Sequence, residues 1–318
     1  MTGTDIEFAA RLLIKGGVVA IPTETVYGLA ANACDEKAVV NIFSIKQRPT
    51  FDPLIVHLAE AAQLDRFALT VPDMAAELAA AFWPGPLTLV LPRRSVIPDI
   101  VTSGLDTVGL RVPSHPLTLE LLRQLPFPLA APSANPFGYI SPTTAGHVVD
   151  QLGGKIPYVL DGGPCKVGVE STIVGFEDGN AVVYRLGGLP VEELRRVVKN
   201  IKVRTASSSD PLAPGMLESH YAPRRPLIAG DPDELLVSYG SQRLGVIAFS
   251  RDFSNHPAVI HAEILSEGGD LAEAAAHLFA AMRRADAAGV DVIIAEFVPD
   301  EGLGRAINDR LRRAAVRN

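Results

Sequence analysis

The N-terminal two thirds of the chain alternate between short apolar runs and amphipathic stretches. β-Branched and leucine-rich runs that are bounded by Gly, Pro, Asp or Ser are typical of buried strands. The runs of this kind are VVAIP, LIVHL, LTLVL, VGLRV, PLAAP, YVLDG, STIVGF and AVVYRL. Several of them follow one another without a helix between, so the pattern predicts a mixed sheet rather than a strictly parallel one.

Helical periodicity occupies the longer stretches between these strands. The first helix is predicted over about residues 4–15, with Gly16-Gly17 as its C-cap. The second is predicted to begin after the N-cap Asp35 and to end near Lys46. Further helices are predicted near residues 72–81, 116–125, 143–152 and 190–199.

The periodicity is lost between about residues 203 and 226. This stretch, RTASSSDPLAPGMLESHYAPRRP, is rich in Ser and Pro and is typical of a linker. A passive tether is the usual function of such a segment. However, it also contains large apolar and aromatic side chains that favour a segment docked on the protein, namely Met216, Leu217, His220 and Tyr221.

A different pattern follows the linker. RLGVIAFS, a helix near residues 269–287, VDVIIAEFV and a helix near residues 303–315 alternate as strand and helix. This alternation predicts a small parallel α/β domain. We therefore expect a larger domain over residues 1–204, a linker over residues 205–226 and a smaller domain over residues 227–318.

Length and composition limit the class of protein. A chain of 318 residues with 47% hydrophobic and 20% charged residues is typical of a soluble globular protein with two domains. No apolar run is long enough to span a bilayer, and the N-terminus does not read as a signal peptide, so we expect a cytoplasmic protein. The net charge of -7 disfavours a broad nucleic-acid-binding surface. Cys34 and Cys165 are too few for a disulfide framework or a zinc site.

Familiar catalytic and phosphate-binding motifs are absent from the sequence. It contains no GxxxxGK[ST], no GxGxxG after a strand, no HExxH and no GxSxG. The seven histidines show no spacing that indicates a metal site. A bound nucleotide would therefore be held by side chains and loop amides.

Polar side chains gather instead where the predicted strands and helices end. Four cations share this position: Lys46, Arg48, Arg111 and Arg185. Hydroxyl and amide groups accompany them at Thr23, Thr25, Ser133, Asn135, Ser141, Ser171 and Thr172. Converging cations and hydrogen-bond donors are how a protein without a P-loop holds a polyphosphate and a carboxylate.

Ordinary structural roles are open to the same residues. Arg111 and Arg185 could be paired arginines, and Lys46 could be a charge that complements a helix C-terminus. His57 could be a buried histidine with a hydrogen-bonded ring. Turn or cap roles are open to Ser133, Asn135 and Ser141. Because one sequence does not show whether these side chains converge, both interpretations stay open at this point.

Seven stretches resemble the YrdC-like threonylcarbamoyl-AMP synthases in their two-domain form. They are IPTETVYGLAANA, IFSIKQRPTFDPLIVHL, WPGPLTLVL, GLRVPSHP, APSANPFGYISPT, DGGPCKVGVESTIV and YRLGG, and PGMLESHYAP resembles the linker of that family. The resemblance covers nearly all of residues 10–225. It implies an α/β fold with an N-terminal YrdC-like domain, built on a twisted mixed β-sheet with flanking helices, and a smaller C-terminal parallel, Rossmann-like domain.

The resemblance also implies an activity. Enzymes of this family are nucleotidyltransferases that join L-threonine, bicarbonate and ATP into threonylcarbamoyl-AMP and release pyrophosphate. The product supplies the threonylcarbamoyl group of a modified tRNA adenosine, so tRNA threonylcarbamoyl-transferase proteins are the expected downstream partners. Mg²⁺ is expected to accompany the ATP phosphates. We expect no tightly bound organic cofactor, no stable nucleic-acid binding and no membrane association.

Site residues carry over position by position. The residues that would hold threonine are Thr25, His57, Arg111, Ala131 and Ser171. The residues that would surround ATP are Lys46, Arg48, Asp52, Thr107, Ser133, Asn135, Ser141, Arg185 and Tyr221. Lys46 and Arg48 would be the catalytic residues, since they would stabilise charge during phosphoryl transfer. The linker residues 211–223 are expected to cover the pocket as a lid.

Two positions depart from the pattern of the family. Asp52 stands where asparagine is common, and we expect it either to help hold Mg²⁺ or to pair with Arg48. Leu217 and Glu218 stand where a basic or more polar pair is common, which weakens the expectation that the linker docks.

Two other functions fit the sequence less well. An RNA-binding module without catalysis is disfavoured by the net charge of -7. A carbamoyl-adenylating enzyme that uses carbamoyl phosphate belongs to a larger maturation protein, whose zinc-type CxxC repeats are missing from this sequence.

Overall fold

The computed structural model describes residues 1–204 and 219–316. Backbone contacts divide the chain into two compact units. Unit 1 holds Met1–Phe137, Pro142–Lys166 and the described part of Glu170–Leu217. Unit 2 holds Gly138–Ser141, Val167–Val169 and the described part of Glu218–Asn318. The domain boundaries that we expected at residues 204 and 226 stay predictions.

Unit 1 contains short strands with helices between many of them. The strands are β1 (Thr2–Gly3), β2 (Val19–Ile21), β3 (Gly28–Asn32), β4 (Ile55–His57), β5 (Leu87–Pro92), β6 (Thr107–Arg111), β7 (Leu129–Ala130), β8 (Tyr158–Leu160), β9 (Thr172–Glu177), β10 (Asn180–Arg185) and β11 (Ile201–Val203). The helices are α1 (Ile6–Ile14), α2 (Glu36–Lys46), α3 (Leu64–Phe67), α4 (Asp73–Phe82), α5 (Asp99–Thr102), α6 (Pro116–Gln124), α7 (Ala145–Leu152) and α8 (Val191–Val197), with a 3-10 turn at Ala61–Gln63.

The described strands of unit 1 form one mixed sheet in the order β1-β8-β2-β3-β7-β4-β6-β5-β9-β10-β11. The β4–β6 and β5–β9 pairs are parallel, whereas β5–β6 and β9–β10 are antiparallel. The mixed sheet predicted from the sequence is therefore confirmed. Strand β3 was not predicted, because its sequence GLAAN contains no β-branched or aromatic residue and is extended only through its pairing with β2 and β7.

The two predicted N-terminal helices begin and end where their capping residues stand. Asp5 caps α1 by accepting from the backbone N–H of Phe8. Asp35 caps α2 by accepting from two backbone N–H groups, and α2 ends at Lys46 as predicted. The C-cap residue of α2, Gln47, adopts the left-handed conformation with a φ of 53°.

Alternation along the strands separates the two faces of the central sheet. One face packs against the helices and contributes residues such as Leu89, Leu110 and Val174 to the main core. The opposite face carries a separate buried cluster made of strand residues: Ile55, Val90, Ile173, Val182 and Tyr184. We call this second surface the site face.

Unit 2 is a smaller parallel α/β unit, as predicted. Its described elements are β12 (Leu227–Gly230), α9 (Pro232–Tyr239), β13 (Leu244–Ala248), β14 (Val259–Ile264), α10 (Leu271–Ala287), β15 (Val292–Glu296) and α11 (Gly304–Ala315). The strands pair in parallel in the order β12-β15-β13-β14. In residues 1–204 and 219–316, no helix is both long enough and apolar enough to cross a membrane.

Candidate active site

Arg111 lies at the end of β6 on the site face, and its charge is paired there. Its NH2 group is 2.6 Å from Oε1 of Glu24, and both side chains are almost fully buried. Its NH1 group donates to the hydroxyl of Thr25 at 3.1 Å, and its Nε donates to the carbonyl of Gly85 at 3.2 Å. Protein groups in the described chain therefore orient the guanidinium on three sides.

Glu24 was not among the predicted site residues. Its Oε1 contacts Arg111 and its Oε2 accepts from the backbone N–H of Ser114 at 3.0 Å. Burial opposes ionisation of Glu24, but the charge of Arg111 and the hydrogen bonds hold its pKa below its usual value. The signal in the sequence was its place directly after a buried strand, next to Thr25.

His57 lies beside Arg111 in the parallel pair of β4 and β6, where the two residues are register partners. Its side chain is buried. Burial and the neighbouring charge of Arg111 lower the pKa of His57 to about 3, although Glu24 acts in the opposite direction. His57 is therefore neutral at physiological pH. Within residues 1–204 and 219–316, its Nδ1 has no hydrogen-bond partner.

A β-bulge turns Arg185 onto the site face. Val183 pairs with Val174, which belongs to the main core, but Arg185 pairs with Ile173 of the site face. Two successive residues of β10 thus oppose one residue of β9, and the bulge re-aims the arginine. Arg185 donates through NH2 to both the carbonyl and the hydroxyl of Ser171, at 2.9 and 3.1 Å. The structure therefore brings these two predicted residues together.

Lys46 is buried at the end of α2. Its ammonium group donates to the carbonyl oxygens of Ser133 and Asn135, each at 2.5 Å. Burial and the adjacent charge of Arg48 hold the pKa of Lys46 well below its usual value, whereas Asp52 raises it. These contacts bring together three predicted ATP-binding residues.

Arg48 and Asp52 form a buried ion pair. NH2 of Arg48 is 2.8 Å from Oδ2 of Asp52, and the exposed fractions of the two side chains are 5% and 0%. The same guanidinium donates to the carbonyls of Asp52 and Pro53 at 3.1 and 2.9 Å, and it lies over the ring of Phe137. The pairing that we raised as one alternative for Asp52 is therefore present in the structure.

Residues 131–135 connect the two groups of predicted residues. The backbone N–H of Ala131 donates to the carbonyl of Ile55 in β4, two residues before His57. Ser133 forms a β-bridge with Gly28, close to Thr25 in the chain. The carbonyls of Ser133 and Asn135 hold Lys46. One short segment thus lies beside the Arg111 group at its start and beside Lys46 at its end.

The remaining three predicted residues are Thr107, Ser141 and Tyr221. Thr107 is at the opposite end of β6 from Arg111, where it lines a cleft of about 320 Å³ with Val90 and Tyr184. Ser141 is fully buried in unit 2. Tyr221 also belongs to unit 2, where its ring stacks on Phe279 at 5.4 Å between ring centroids.

The predicted lid lies partly outside the described residues. Residues 211–218, including Leu217 and Glu218, are not described. Tyr221, which is described, has a φ of 66° and is 1% exposed. The guanidinium of Arg310 lies 5.1 Å from the centroid of its ring. Lid closure over ATP stays a prediction.

A metal ion in this region would depend on Asp52. In residues 1–204 and 219–316, no group of three or more His, Cys, Asp or Glu side chains is arranged to hold a metal ion. The carboxylate of Asp52 is fully buried against Arg48. Mg²⁺ prefers oxygen ligands and keeps several waters, so direct coordination by Asp52 would require this ion pair to open.

Comparison with known proteins shows the family to which the chain belongs. Residues 11–187 match the Sua5/YciO/YrdC family model, described as telomere recombination, and residues 189–316 match the model of the threonylcarbamoyl-AMP synthase C-terminal domain. The chain is 42% identical to a threonylcarbamoyl-AMP synthase of Pyrococcus abyssi, with 98% of this chain and 94% of that protein covered. It is 43% identical to the Bacillus subtilis enzyme of the same name, with 96% and 92% covered.

A solved structure agrees with these matches. The crystal structure of P. abyssi Sua5 complexed with L-threonine has a TM-score of 0.92 to this chain at 41% sequence identity. The alignment covers 99% of this chain and 97% of that one. The similarity therefore extends over both units.

Proposed function

The chain belongs to the Sua5/YrdC family and is an enzyme that forms threonylcarbamoyl-AMP, and from this premise we propose that it joins L-threonine, bicarbonate and ATP at the residue groups of unit 1. The observation that carries this proposal is the segment 131–135, whose start bonds to Ile55 in the strand that holds His57 beside Arg111, and whose end holds the buried cation Lys46. The carboxylate of threonine and the triphosphate of ATP each need a cation. This segment runs from the Arg111 group to Lys46, which could supply these two cations.

Threonine binds at the Arg111 group in this proposal. Arg111 has N–H donors beyond those used by Glu24, Thr25 and Gly85, and a guanidinium recognises a carboxylate through paired N–H groups. The neutral ring of His57 offers Nδ1 as an acceptor for an N–H or O–H of the substrate. Donors at Ser171 and a contact with Ala131 complete the site.

ATP binds along the second group of residues. Lys46 and Arg48 face the phosphates as compact and bidentate cations respectively, and Arg185 adds a third charge on the site face. Asp52, Ser133 and Asn135 complete this group, and the assignments of Thr107, Ser141 and Tyr221 to ATP stay predictions from the sequence.

The chemistry needs no protein nucleophile. The neutral amine of threonine and bicarbonate condense to a carbamate with loss of water, and a carbamate oxygen then attacks the α-phosphorus of ATP and displaces pyrophosphate. Unit 1 positions the two reactants and stabilises the charge that develops on the phosphoryl oxygens, chiefly through Lys46 and Arg48. Mg²⁺ carried by the phosphates supplies further neutralisation of that charge. A free carbamate decomposes in water, so exclusion of water from this region is part of the function.

The product connects the enzyme to tRNA modification. We propose that downstream tRNA threonylcarbamoyl-transferase proteins receive the labile product, and that the reaction takes place in the cytoplasm. The alternative of a non-catalytic RNA-binding module is not favoured, because the full-length relatives are enzymes.

Pyrophosphate release tests the proposal directly. The enzyme is incubated with ATP, Mg²⁺, bicarbonate and L-threonine, and release is expected to require both threonine and bicarbonate. The matched control is Arg111→Met, which is expected to lose threonine-dependent release. Release that does not depend on threonine would contradict the proposal, and retention on double-stranded RNA without any turnover would favour the RNA-binding alternative.

A further inference from the structure

Thr88 lies between the two sides of the proposed threonine site. It stands on β5, which pairs antiparallel with β6 and parallel with β9. Leu89 is opposite Leu110, so the register brings Thr88 beside Arg111 on one side. On the other side its hydroxyl is 2.8 Å from the hydroxyl of Ser171. Thr88 is fully buried.

Ser171 also accepts a hydrogen bond from a group that can only donate. NH2 of Arg185 is 3.1 Å from Oγ of Ser171. A serine hydroxyl has one proton and two lone pairs, and a guanidinium has no acceptor. One lone pair of Ser171 is therefore used by Arg185, which leaves one lone pair and one proton.

Two arrangements of the hydroxyl protons satisfy this contact. If Ser171 donates to Thr88, then the Thr88 proton has no acceptor in the described chain and remains buried within β5, flanked by Leu87 and Leu89, which are both fully buried. If Thr88 donates to Ser171, then the remaining proton is on Ser171, at the strand end where a ligand could accept it. A buried hydroxyl proton without an acceptor costs about 1–3 kcal/mol, so the second arrangement is favoured once a ligand is present.

We propose that Thr88 is a positioning residue for substrate binding: its hydroxyl donates to Ser171 and thereby directs the Ser171 proton to an oxygen of bound threonine. This inference rests on the proposed function, because it requires Ser171 to contact threonine. Thr88 itself does not touch the substrate. With Thr88 and Arg185 both donating to Ser171, the serine has only its proton left to offer.

The local packing allows a clean test. The methyl group of Thr88 faces Gly109, where an added Cβ would lie 3.2 Å from it. Thr88→Val keeps a branched side chain of similar size and replaces the hydroxyl with a methyl group, and Ser171 still has Arg185 as a partner. Thr88→Ser is the matched control, since it keeps the hydroxyl and removes the methyl group.

Steady-state kinetics and threonine binding by calorimetry measure the effect. Thr88→Val is expected to raise the KM and Kd for threonine by about three- to tenfold, as for loss of one hydrogen bond, with kcat and the KM for ATP changed less than about twofold. Thr88→Ser is expected to stay within about twofold of the parent. In a Ser171→Ala background, Thr88→Val should have no further effect on threonine affinity.

The results that would contradict the role of Thr88 differ from those that would contradict the proposed function. If Ser171→Ala weakens threonine binding but Thr88→Val does not, then Thr88 is only structural and the inference is wrong, while the proposed function stands. If Ser171→Ala leaves threonine binding unchanged, then the proposed contact of Ser171 with threonine fails as well. Melting temperatures are measured for all variants, and Thr88→Ala replaces Thr88→Val if the latter does not fold.

Discussion

At the scale of single residues, Arg111 has two partners for its charge: Glu24 of the protein and, in our proposal, the carboxylate of threonine. Glu24 compensates the buried guanidinium in the free protein. A buried cation that loses its partner is strongly destabilising, because its desolvation is no longer offset. Glu24 is therefore a structural residue of the site, and its removal should make the protein depend on an external carboxylate.

Replacement of Glu24 tests this dependence. Glu24→Gln is expected to lower the free energy of unfolding by about 3 kcal/mol, since the amide keeps a hydrogen bond but not the charge. Added L-threonine should recover part of the loss, so it should raise the Tm of the variant more than that of the parent. Thermal unfolding with and without threonine measures both effects. Glu7→Gln is the control, because the Glu7–Arg11 pair is exposed and contributes little. An equal threonine shift in parent and variant would contradict this account.

Asp52 is a second residue whose buried charge affects the binding of a substrate. In the structure it neutralises Arg48. Asp52→Asn removes repulsion between a carboxylate and the phosphates, so we expect the KM for ATP to fall by about two- to tenfold, with a smaller requirement for Mg²⁺. ATP titrations at several Mg²⁺ concentrations measure this.

An exposed aspartate provides the control for Asp52→Asn. Asp99→Asn breaks an ion pair with Arg93 in which the aspartate is 78% exposed, and it should leave the KM for ATP unchanged. Unchanged ATP affinity and Mg²⁺ dependence in Asp52→Asn would mean that Asp52 serves only the fold, through its pair with Arg48 and the turn before Pro53.

At the scale of elements, the end of α2 places two cations two residues apart. Lys46 is the last helical residue and turns into unit 1, and Gln47 reverses the chain in the left-handed conformation before Arg48. The backbone N–H of Arg48 still bonds to the carbonyl of Phe43 at 3.0 Å, which fixes the cap. The spacing of these cations is thus a property of a helix terminus rather than of a flexible loop.

The cap residue provides a stability prediction. Gln47 is exposed, and a non-glycine residue in the left-handed region carries a steric cost. Gln47→Gly should raise the free energy of unfolding by about 0.5–1 kcal/mol, because glycine removes the steric cost of the left-handed conformation. Part of this gain is lost, because glycine also gives the unfolded chain more conformational freedom. Gln47→Ala, the control, keeps the cost and should not stabilise. Denaturant unfolding measures the free energy of unfolding of both variants. Equal stability of Gln47→Gly and Gln47→Ala would contradict this explanation.

Element prediction from the sequence succeeded where local signals agreed. Asp35 and the periodicity after it marked both ends of α2, and Leu87–Pro92 showed the β-branched and leucine-rich pattern of a strand. It failed at β3 and at the short helices α3 and α5. Those elements are too short or too poor in strand-forming residues for a local signal, and tertiary pairing determines them.

At the scale of the whole molecule, the buried titratable groups make stability depend on pH. The pKa of His57 falls from 6.5 to about 3 on folding, so below pH 6.5 the unfolded chain binds a proton that the folded chain does not. Stability should therefore decrease as the pH falls from about 6.5 towards 3. The pKa of Glu24 is also lowered, from 4.5, and its contribution is present above pH 4.5 and lost as the pH falls further.

Unfolding at graded pH separates the two groups. Between pH 6.5 and 4.5 the slope should come mainly from buried histidines, since Glu24 acts below that range; His115, whose pKa is also lowered by burial, adds to it. His57→Gln should flatten the slope in this window. An unchanged slope in the variant would show that His57 does not stay neutral in the folded protein.

The sequence by itself determined the class of fold, the ends of the capped helices and the candidate cations, because propensity, capping and hydrophobic period act over a few residues. It also carried the motifs of the family. Only the tertiary structure decided which candidates meet. The β-bulge that turns Arg185 towards Ser171, the buried partner Glu24 of Arg111 and the contact of Thr88 with Ser171 each join residues far apart in the chain. Strand order and register set these distances, and no local pattern encodes them.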